Sequence, residues 1–466
     1  MSTPLVLDAH RLAIEAPGGR ALFKDLTIML GRESAAVVGR NGVGKSTLLE
    51  VLAGEAPPRE GRLSCPGRTI LVRQDLTAEL PPAASPGEYR RQRLEAAFHA
   101  APDLLLLDEP TLDLDAAGIA WLGEQIRCWP GGLLVVSHEP AVLRAFHQFL
   151  VVEESGCRCF QGTFQELQAH LGLLRDGAQD RYRRELVRLA AQEQHNETVR
   201  RRRQRKKNLG RIRELKRCPE RFKLNDKRSY KQESQGKRAV LQKVRIGAAR
   251  EEVRAARRAL PVTLALEMAL PKLPNPRGPP IIRCDAAAAT VGGRTLFEGL
   301  SLSLGRERLA VCGPNGSGKT TLLEVALGLR LPTAGSARAD MSHVGYIAQN
   351  ATNWCMQECL TQILATRSTA VEVTAVLAAH RFPPALAGRP LDTLSPGERV
   401  RAALICLTRR EPAPEILVLD EPTQHLDFEG RAALETVLAA WPGGLLVVSH
   451  DPEFLQAIRV VDCIEL

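Results

Sequence analysis

One glycine-rich pattern occurs twice in the sequence, and this repeat limits the folds that the chain can adopt. Segments that begin at Gly39 and Gly313 both fit G-x4-G-K-[ST]. Each follows a short apolar run typical of a buried strand and precedes a run with helical periodicity. In such a strand, loop and helix, backbone N–H groups curl around phosphate. We therefore predict an α/β fold with two P-loop cassettes.

The two loops predict binding of a nucleotide together with Mg²⁺. Their glycines shape the backbone, the lysine neutralises phosphate charge, and the hydroxyl after the lysine reaches the metal ion. The candidate nucleotide-binding residues are Gly39, Asn41, Gly42, Gly44, Lys45, Ser46 and Thr47 in the first copy, and Gly313, Asn315, Gly316, Gly318, Lys319, Thr320 and Thr321 in the second.

Each copy continues with an apolar run that ends in Asp-Glu-Pro-Thr, at Asp108 and at Asp420. Such a run predicts a buried parallel strand, whose last carboxylates emerge at the edge where α/β proteins bind ligands. We expect the aspartates to orient Mg²⁺, and Glu109 and Glu421 to polarise the attacking water as catalytic residues. A helix N-cap role would not require the same tetrapeptide twice.

Two further polar residues recur at matching places. His138 and His450 end the run Leu-Leu-Val-Val-Ser-His and are interpreted as γ-phosphate sensors with a catalytic role, while Gln74 and Gln349 follow apolar runs and are candidate contacts to Mg²⁺ and water. The full set of candidate Mg²⁺ residues is Ser46, Gln74, Asp108, Thr320, Gln349 and Asp420.

The order of these motifs resembles that of the ABC ATPase family. Candidate signature segments begin at Ser85 and Ser395, reading Ser-Pro-Gly-Glu where the family has Ser-Gly-Gly-Glu or Ser-Gly-Gly-Gln. Two cassettes, a charged linker and no apparent membrane span resemble the ABC-F subfamily in particular. Known members are soluble ATPases, many of which act on the ribosome in translation or antibiotic protection.

The resemblance implies that the cassettes pair head to tail within one chain, so a monomer is expected. Each ATP would lie between the phosphate loop of one cassette and the signature of the other, where the serine hydroxyl, the glycine N–H and a helix N-terminus meet the γ-phosphate. The expected composite sites are Lys45, Asp108, Glu109 and His138 with Ser395 and Gly397, and Lys319, Asp420, Glu421 and His450 with Ser85 and Gly87.

The two copies differ in length between the glutamine and the signature. Lys319 lies 274 residues after Lys45, but Asp420 lies 312 residues after Asp108. Almost all of this difference falls in one interval, which keeps only residues 75–84 in the first copy. In the ABC fold that interval forms a helical subdomain, so the first cassette is predicted to lack most of it and its signature to support ATP less well.

The adenine end of each site departs from the family pattern. Members usually stack an aromatic ring on adenine, but Ala16 or Pro17 and Val291 stand near that point here. Phe23 and Phe297 fit better as core residues, so the selectivity for ATP over GTP is left open.

A strongly basic segment joins the cassettes. Between Arg175 and Arg258 there are 29 Lys and Arg against 11 Asp and Glu, a net charge of +18, whereas the whole chain carries +10. We predict cassettes at 1–165 and 271–466 and a helical hairpin at 166–270, with its tip near 218–235. A dense run of cations indicates contact with folded RNA through phosphates. The candidate RNA contacts are Arg200, Arg201, Arg202, Arg203, Arg205, Lys206 and Lys207.

Several functions remain compatible with these features. A cytoplasmic ATPase that positions its basic linker on the ribosome is preferred. The alternatives are an ATPase that binds branched DNA in repair, the ATPase subunit of a membrane transporter, and a binding module with inactive sites, which the intact motifs disfavour. The cysteines are expected to be free buried thiols, as at Cys312, and their spacing does not indicate a metal site.

Overall fold

The computed structural model describes residues 5–16, 19, 21–75, 86–153, 156–215, 244–256, 270–271, 273, 279–354, 356–366, 368–380, 382, 384–424 and 426–466. They fall into two compact units. One unit, Met1–Gln165 with Thr263–Leu466, contains both cassettes, and the other, Glu166–Val262, contains the linker. Within the described residues, no helix combines the length and the apolar character that a membrane crossing requires.

The first cassette has two sheets around the helix that follows the phosphate loop. One sheet is antiparallel in the order β2-β1-β4, and the other has the order β5-β6-β7-β3-β8-β9, parallel except for β9. Its elements are β1 (Leu7–Glu15), β2 (Ala21–Leu30), β3 (Ser34–Gly39), α1 (Lys45–Leu52), β4 (Glu60–Ser64), β5 (Thr69–Val72), α2 (Pro86–His99), β6 (Leu104–Asp108), α3 (Ala116–Cys128), β7 (Gly132–Val136), α4 (Pro140–Leu143), β8 (Gln148–Glu153) and β9 (Gly156–Gln161).

The central strands form because their side chains are apolar without interruption. Every residue of β6 and of β7 is buried, as expected for parallel strands covered on both faces. Phe23 on β2 is 1% exposed and packs in the same core as α1. Its predicted structural role is therefore confirmed. Because β3, β6 and β7 are parallel neighbours, their carboxyl ends meet at one edge, where the phosphate loop begins.

The linker unit is helical wherever it is described. Helix α5 (Phe164–Leu215) runs for 52 residues, and residues 244–256 form a second helix, α6. Arg188 Nη1 lies 3.2 Å from Glu252 Oε2, and Arg250 Nη2 donates to Glu193 Oε1 at 2.9 Å, so the two helices run antiparallel. The predicted tip at 218–235 lies outside the described residues, and the hairpin stays a prediction.

The second cassette repeats the two-sheet arrangement and adds helices. Its sheets have the orders β11-β10-β13 and β14-β15-β16-β12-β17. The elements are β10 (Ile282–Val291), β11 (Arg294–Leu304), β12 (Arg308–Cys312), α7 (Lys319–Ala326), β13 (Ala334–Ala339), β14 (Val344–Ile347), α8 (Leu360–Ala365), α9 (Ala370–Ala379), α10 (Pro384–Ala387), α11 (Pro396–Thr408), β15 (Ile416–Asp420), α12 (Phe428–Ala440), β16 (Gly444–Val448), α13 (Pro452–Ala457) and β17 (Asp462–Glu465).

The predicted difference between the cassettes is confirmed in the described part of the chain. In the second cassette, α8 to α11 lie between β14 and β15 and enclose a core of their own, which includes Leu360, Leu377, Phe382 and Ile405. In the first cassette, the described residues between β5 and β6 form only one helix, α2. The first cassette thus keeps the signature helix without the subdomain that accompanies it in the second.

One expectation about the cysteines is wrong. Cys312 at the end of β12 forms a disulfide with Cys463 on β17. The two strands are parallel neighbours, and this pairing places the two Cα atoms 6.5 Å apart, within the range that a disulfide spans. The sequence did not reveal the pair because 151 residues separate the two cysteines.

Candidate functional site

Both phosphate loops have the backbone shape that their glycines predict. Gly44 and Gly318 precede the first helical residue with φ of 107° and 105°, a conformation that favours glycine. Space also requires glycine at Gly44, because a Cβ there would lie 2.8 Å from Leu22 Cδ1. Lys45 Nζ donates to Gly39 O at 2.7 Å, and Lys319 Nζ donates to Gly313 O at 2.8 Å. Each ammonium therefore lies over its own loop.

The predicted metal-binding hydroxyl and carboxylate are paired in both cassettes. Thr320 Oγ1 donates to Asp420 Oδ2 at 2.9 Å. Ser46 makes the equivalent side-chain hydrogen bond with Asp108, whose Oδ1 is buried without a partner in the described part of the chain. Burial raises the pKa of Asp108, and it raises the pKa of Asp420 to about 6. A buried carboxylate with a vacant oxygen beside a hydroxyl fits a hard cation such as Mg²⁺.

The two catalytic candidates that follow have a strained backbone. Glu109 and Glu421 have φ of 45° and 43°, in the left-handed region that side chains other than glycine rarely adopt. Their N–H groups donate to Val136 O and Val448 O at 2.9 and 3.0 Å, which fixes each residue at the sheet edge. Strain of this kind is often retained at functional sites, because the surrounding structure holds the side chain in a required direction.

The histidines lie beside these glutamates. His138 Nε2 is 3.5 Å from Glu109 Oε1 and 2.9 Å from Lys45 Nζ, while His450 Nε2 is 2.9 Å from Glu421 Oε1. Burial raises the pKa of Glu109 to about 8 and lowers the pKa of His138 well below its ordinary range. Burial also lowers the pKa of Lys45, although nearby carboxylates partly oppose this effect. The first site therefore holds a neutral imidazole between an ammonium and a carboxyl.

The raised pKa of Glu109 predicts a pH-dependent effect on stability. Between the ordinary pKa of 4.5 and about 8, the folded protein keeps a proton that the unfolded chain has lost, so the burial of Glu109 costs more stability as pH rises. Glu109→Gln should remove this cost. Without nucleotide, the stability advantage of the variant should grow from pH 5 to pH 8, by at most about 1.4 kcal/mol per pH unit. Denaturant unfolding across this range measures it.

The exposed Glu60→Gln, which removes one carboxyl from the surface of the same cassette, is the matched control for this prediction. Parallel pH curves for wild type and Glu109→Gln would contradict the prediction.

A cavity of about 780 Å³ joins the first phosphate loop to the signature of the second cassette. Its walls include Lys45, Gln74 and His138 on one side and Ser395 on the other. Ser395 caps the first turn of α11, where its backbone N–H donates to Glu398 Oε2 at 2.9 Å. The structure thus brings together the parts of the first composite site from both cassettes.

The second composite site is assembled through Gly87 at the start of α2. A Cβ on Gly87 would lie 3.1 Å from Asn315 Nδ2 of the second phosphate loop and would clash with Asp113 O. Asn315 Nδ2 in turn donates to Asp113 O at 2.6 Å. Gly87 therefore lies against the opposite loop, as the head-to-tail arrangement requires. Ser85 is outside the described residues, and its contact with nucleotide stays a prediction.

Sequence reasoning missed the residues just after Asp-Glu-Pro-Thr. Asp427 caps α12 by accepting from Gly430 N at 2.8 Å, and its other oxygen accepts from Asn41 N at 3.2 Å, across to the first phosphate loop. In the first copy, Asp115 caps α3 in the same way. The signal was available, because both copies place Leu-Asp at the same distance after the tetrapeptide.

Sequence reasoning also missed Arg90, which lies where the first cassette lacks the helical subdomain. Arg90 on α2 is 4% exposed, and its Nη2 donates to Gln74 O at 2.8 Å and lies 3.5 Å from Asp113 Oδ2. Two residues after the signature glutamate, the second copy has Val400 instead. The guanidinium thus connects the glutamine segment to the signature helix directly, where the second cassette has a whole subdomain between them.

The remaining candidates occupy separate places. Gln349 Nε2 donates to Gln424 Oε1 at 2.6 Å, next to the carboxyl end of β15. The cationic run lies in α5, and Arg201, Arg202 and Arg205 are exposed there. The side chains of Arg200, Arg203, Lys206 and Lys207 are outside the described set.

The match to known proteins also differs between the two cassettes. A family model described as ABC transporter matches residues 25–80 and 297–424. The first match stops where the first cassette lacks its subdomain, while the second continues through that subdomain. ATP-binding cassette sub-family F member 3 of mouse is 29% identical over 442 residues. The chain is thus similar in sequence to ABC-F proteins of the ABC ATPase family. The chain spans 57% of the length of the mouse protein, and the match includes 93% of its own residues.

Two other relatives extend the comparison. The ribosome protection protein VmlR of Bacillus subtilis is 26% identical, with 90% of this chain and 79% of VmlR aligned. Among solved structures, archaeal ribosome recycling factor aABCE1, in complex with ribosomal stalk protein aP1, matches with a TM-score of 0.58 and 16% identity over 97% of this chain and 86% of that one. At this identity the structural match shows only a shared fold.

Proposed function

We propose that the chain binds ATP with Mg²⁺ at both composite sites, hydrolyses it, and uses the resulting movement of the cassettes to act on the ribosome. The observation that carries the hydrolytic part is the cavity that Lys45, Glu109 and His138 share with Ser395. It offers a cation, a base and a capped helix N-terminus around one space, as phosphoryl transfer requires.

Positioning would account for most of the catalysis, since phosphoryl transfer needs little covalent chemistry from the protein. Lys45 would neutralise phosphate charge, and the N-terminus of α11 at Ser395 would bind the γ-phosphate from the opposite side. Glu109 would accept a proton from the attacking water, and its pKa of about 8 lies in the range where a general base is effective. Mg²⁺ held by Ser46 and Asp108 would reduce the charge on the phosphates.

The basic linker supports a ribosomal target. Exposed arginines on α5 suit the phosphate backbone of folded RNA, whose binding is dominated by cation contacts. VmlR, a relative aligned over most of both chains, is named as a ribosome protection protein. A role in protecting ribosomes from antibiotics or in translation would follow, and a ribosomal target would locate the protein in the cytoplasm.

Neutralising three exposed linker cations tests the ribosomal proposal. Replacing Arg201, Arg202 and Arg205 together by Gln should weaken cosedimentation with ribosomes in ATP, using a Glu109→Gln, Glu421→Gln background. If each contacts a phosphate, the slope of log affinity against log salt should fall by about 2 to 3.

The matched control replaces three exposed cassette cations, Lys24, Arg62 and Arg338, by Gln. This variant has the same net charge as the linker variant but should retain most of the ribosome affinity. Equal losses in both variants, or no loss in either, would overturn the linker contact. Tight binding to branched DNA junctions but not to ribosomes would favour the repair alternative.

A further inference from the structure

An aromatic side chain from the second cassette contacts the catalytic histidine of the first. Phe428 is the first residue of α12, directly after Asp427, which reaches the first phosphate loop. Its ring centroid is 5.3 Å from that of His138, with an angle of 73° between the planes. Edge-to-face contact at this distance is favourable and depends on direction, so it restricts how the imidazole is turned.

Hydrogen bonds do little to fix the orientation of the His138 ring. Histidines that act at a defined nitrogen are usually oriented by a hydrogen bond at the other nitrogen. His138 Nδ1 is shielded from solvent and has no hydrogen-bond partner among the described residues. His138 Nε2 faces Lys45 and Glu109, the groups that would change their contacts when nucleotide binds. Phe428 is therefore a main constraint on the orientation of the ring.

The same phenylalanine contacts the first residue of the long linker helix. The Phe428 and Phe164 ring centroids are 5.5 Å apart, and Phe164 is 3% exposed. Phe164 also lies 6.3 Å from Phe149, a fully buried residue of β8. The first turn of α5 is thus packed in a cluster that touches the histidine of the ATP site.

Among the described residues, this arrangement occurs at one of the two ATP sites. Asp427 and Asp115 are equivalent caps, so the position of Phe428 corresponds to Ala116 in the first cassette. An alanine has no ring to place against His450. In the described part of the chain, the aromatic contact therefore occurs at the site completed by the signature of the second cassette, and Ala116 provides no equivalent at the other site.

We propose that Phe428 is a positioning residue that orients His138 and couples hydrolysis at the Lys45 site to the first turn of α5 through Phe164. The inference rests on the proposed hydrolytic role of that site but not on a ribosomal target. In this proposal, movement of the linker helix depends mainly on the Lys45 site and less on the Lys319 site.

Two variants allow the turnover of each ATP site to be measured separately. Turnover in Glu421→Gln reports the Lys45 site, and turnover in Glu109→Gln reports the Lys319 site. Phe428→Leu should lower kcat about tenfold in the first background, since small misplacement of a catalytic group is costly, and change KM little. It should have no effect on kcat in the second background. Phe428→Tyr, which keeps the ring, should restore kcat.

Phe297→Leu is the control for lost aromatic volume, because Phe297 is a buried residue of β11 in another core cluster. It should not distinguish the two backgrounds. His138→Ala in the Glu421→Gln background tests the proposed hydrolytic role separately, since unchanged turnover there would contradict that role itself. A loss from Phe428→Leu that is equal in both backgrounds, or absent, would overturn the positioning role.

Hydrogen exchange in residues 164–174 tests the link to α5. In the Glu109→Gln, Glu421→Gln background, ATP should change exchange in this segment, and adding Phe428→Leu or Phe164→Leu should abolish that change. An ATP response that persists in both variants would refute the coupling, even if the effect on kcat is found.

Discussion

Replacing Glu109 by Gln should lower steady-state ATP hydrolysis more than replacing Glu421 by Gln. Glu109 serves the site completed by Ser395, at the head of α11 and within a full helical subdomain. Glu421 serves the site completed by the signature of the first cassette, which has lost that support. A general base contributes about 10²- to 10⁴-fold, so each variant retains essentially the rate of the other site, and Glu109→Gln should keep less than about half of wild-type turnover.

Steady-state phosphate release at saturating ATP measures both variants, and the double variant gives the background rate. Glu124→Gln, an exposed change on α3, controls for the loss of one carboxylate. A larger loss in Glu421→Gln would show that the site with the reduced cassette is the more active one, and it would overturn the proposed asymmetry.

Replacing Arg90 by Leu should affect both stability and turnover. The side chain is buried, and it joins Gln74 O to the Asp113 carboxylate, so the variant loses charge-assisted contacts worth about 1.5–3 kcal/mol. The thermal midpoint should fall by about 2–4 °C. Because Asp113 O also binds Asn315, we expect hydrolysis at the Lys319 site to fall further, as read in the Glu109→Gln background.

Arg90→Lys separates charge from geometry. Lysine keeps the positive charge but cannot span two acceptors with a planar group, so it should recover only part of the stability. Val400→Leu is the change at the equivalent position of α11: its extra methylene at a buried site should cost about 1–3 kcal/mol, but it removes no polar contact and should not lower hydrolysis at the Lys319 site selectively. If Arg90→Leu unfolds at the wild-type midpoint, the guanidinium does not replace the missing subdomain.

The features that could be predicted from the sequence are short local motifs that occur in both copies. The phosphate loops, the buried strands and the carboxylates at their ends each follow from a run of a few residues, and the second copy supports the first. The shortened interval before the first signature was also visible, because comparing Lys45 with Lys319 and Asp108 with Asp420 exposes any difference in length.

The features that the sequence did not predict depend on contacts between distant segments. Arg90 lies in an arginine-rich helix, and only its burial distinguishes it from its neighbours. Phe428 reads as an ordinary apolar residue, since its contact with His138 requires both cassettes to be paired. The aromatic packing of Phe164 at the start of α5 is also a tertiary contact, which the charge pattern of the linker does not show.

The length of α5 has a mechanical consequence. At about 1.5 Å per residue, its 52 residues span about 78 Å, with Arg201 about 55 Å from the end at Phe164. In the coupling that we propose through Phe164, the first turn of α5 would act as the pivot of this helix. Tilting that turn by only about 5° would displace Arg201 by about 5 Å, close to one helical pitch. A small change of side-chain packing at the first turn, which leaves the cassette core intact, would thus move Arg201 by a distance comparable to the size of a nucleotide.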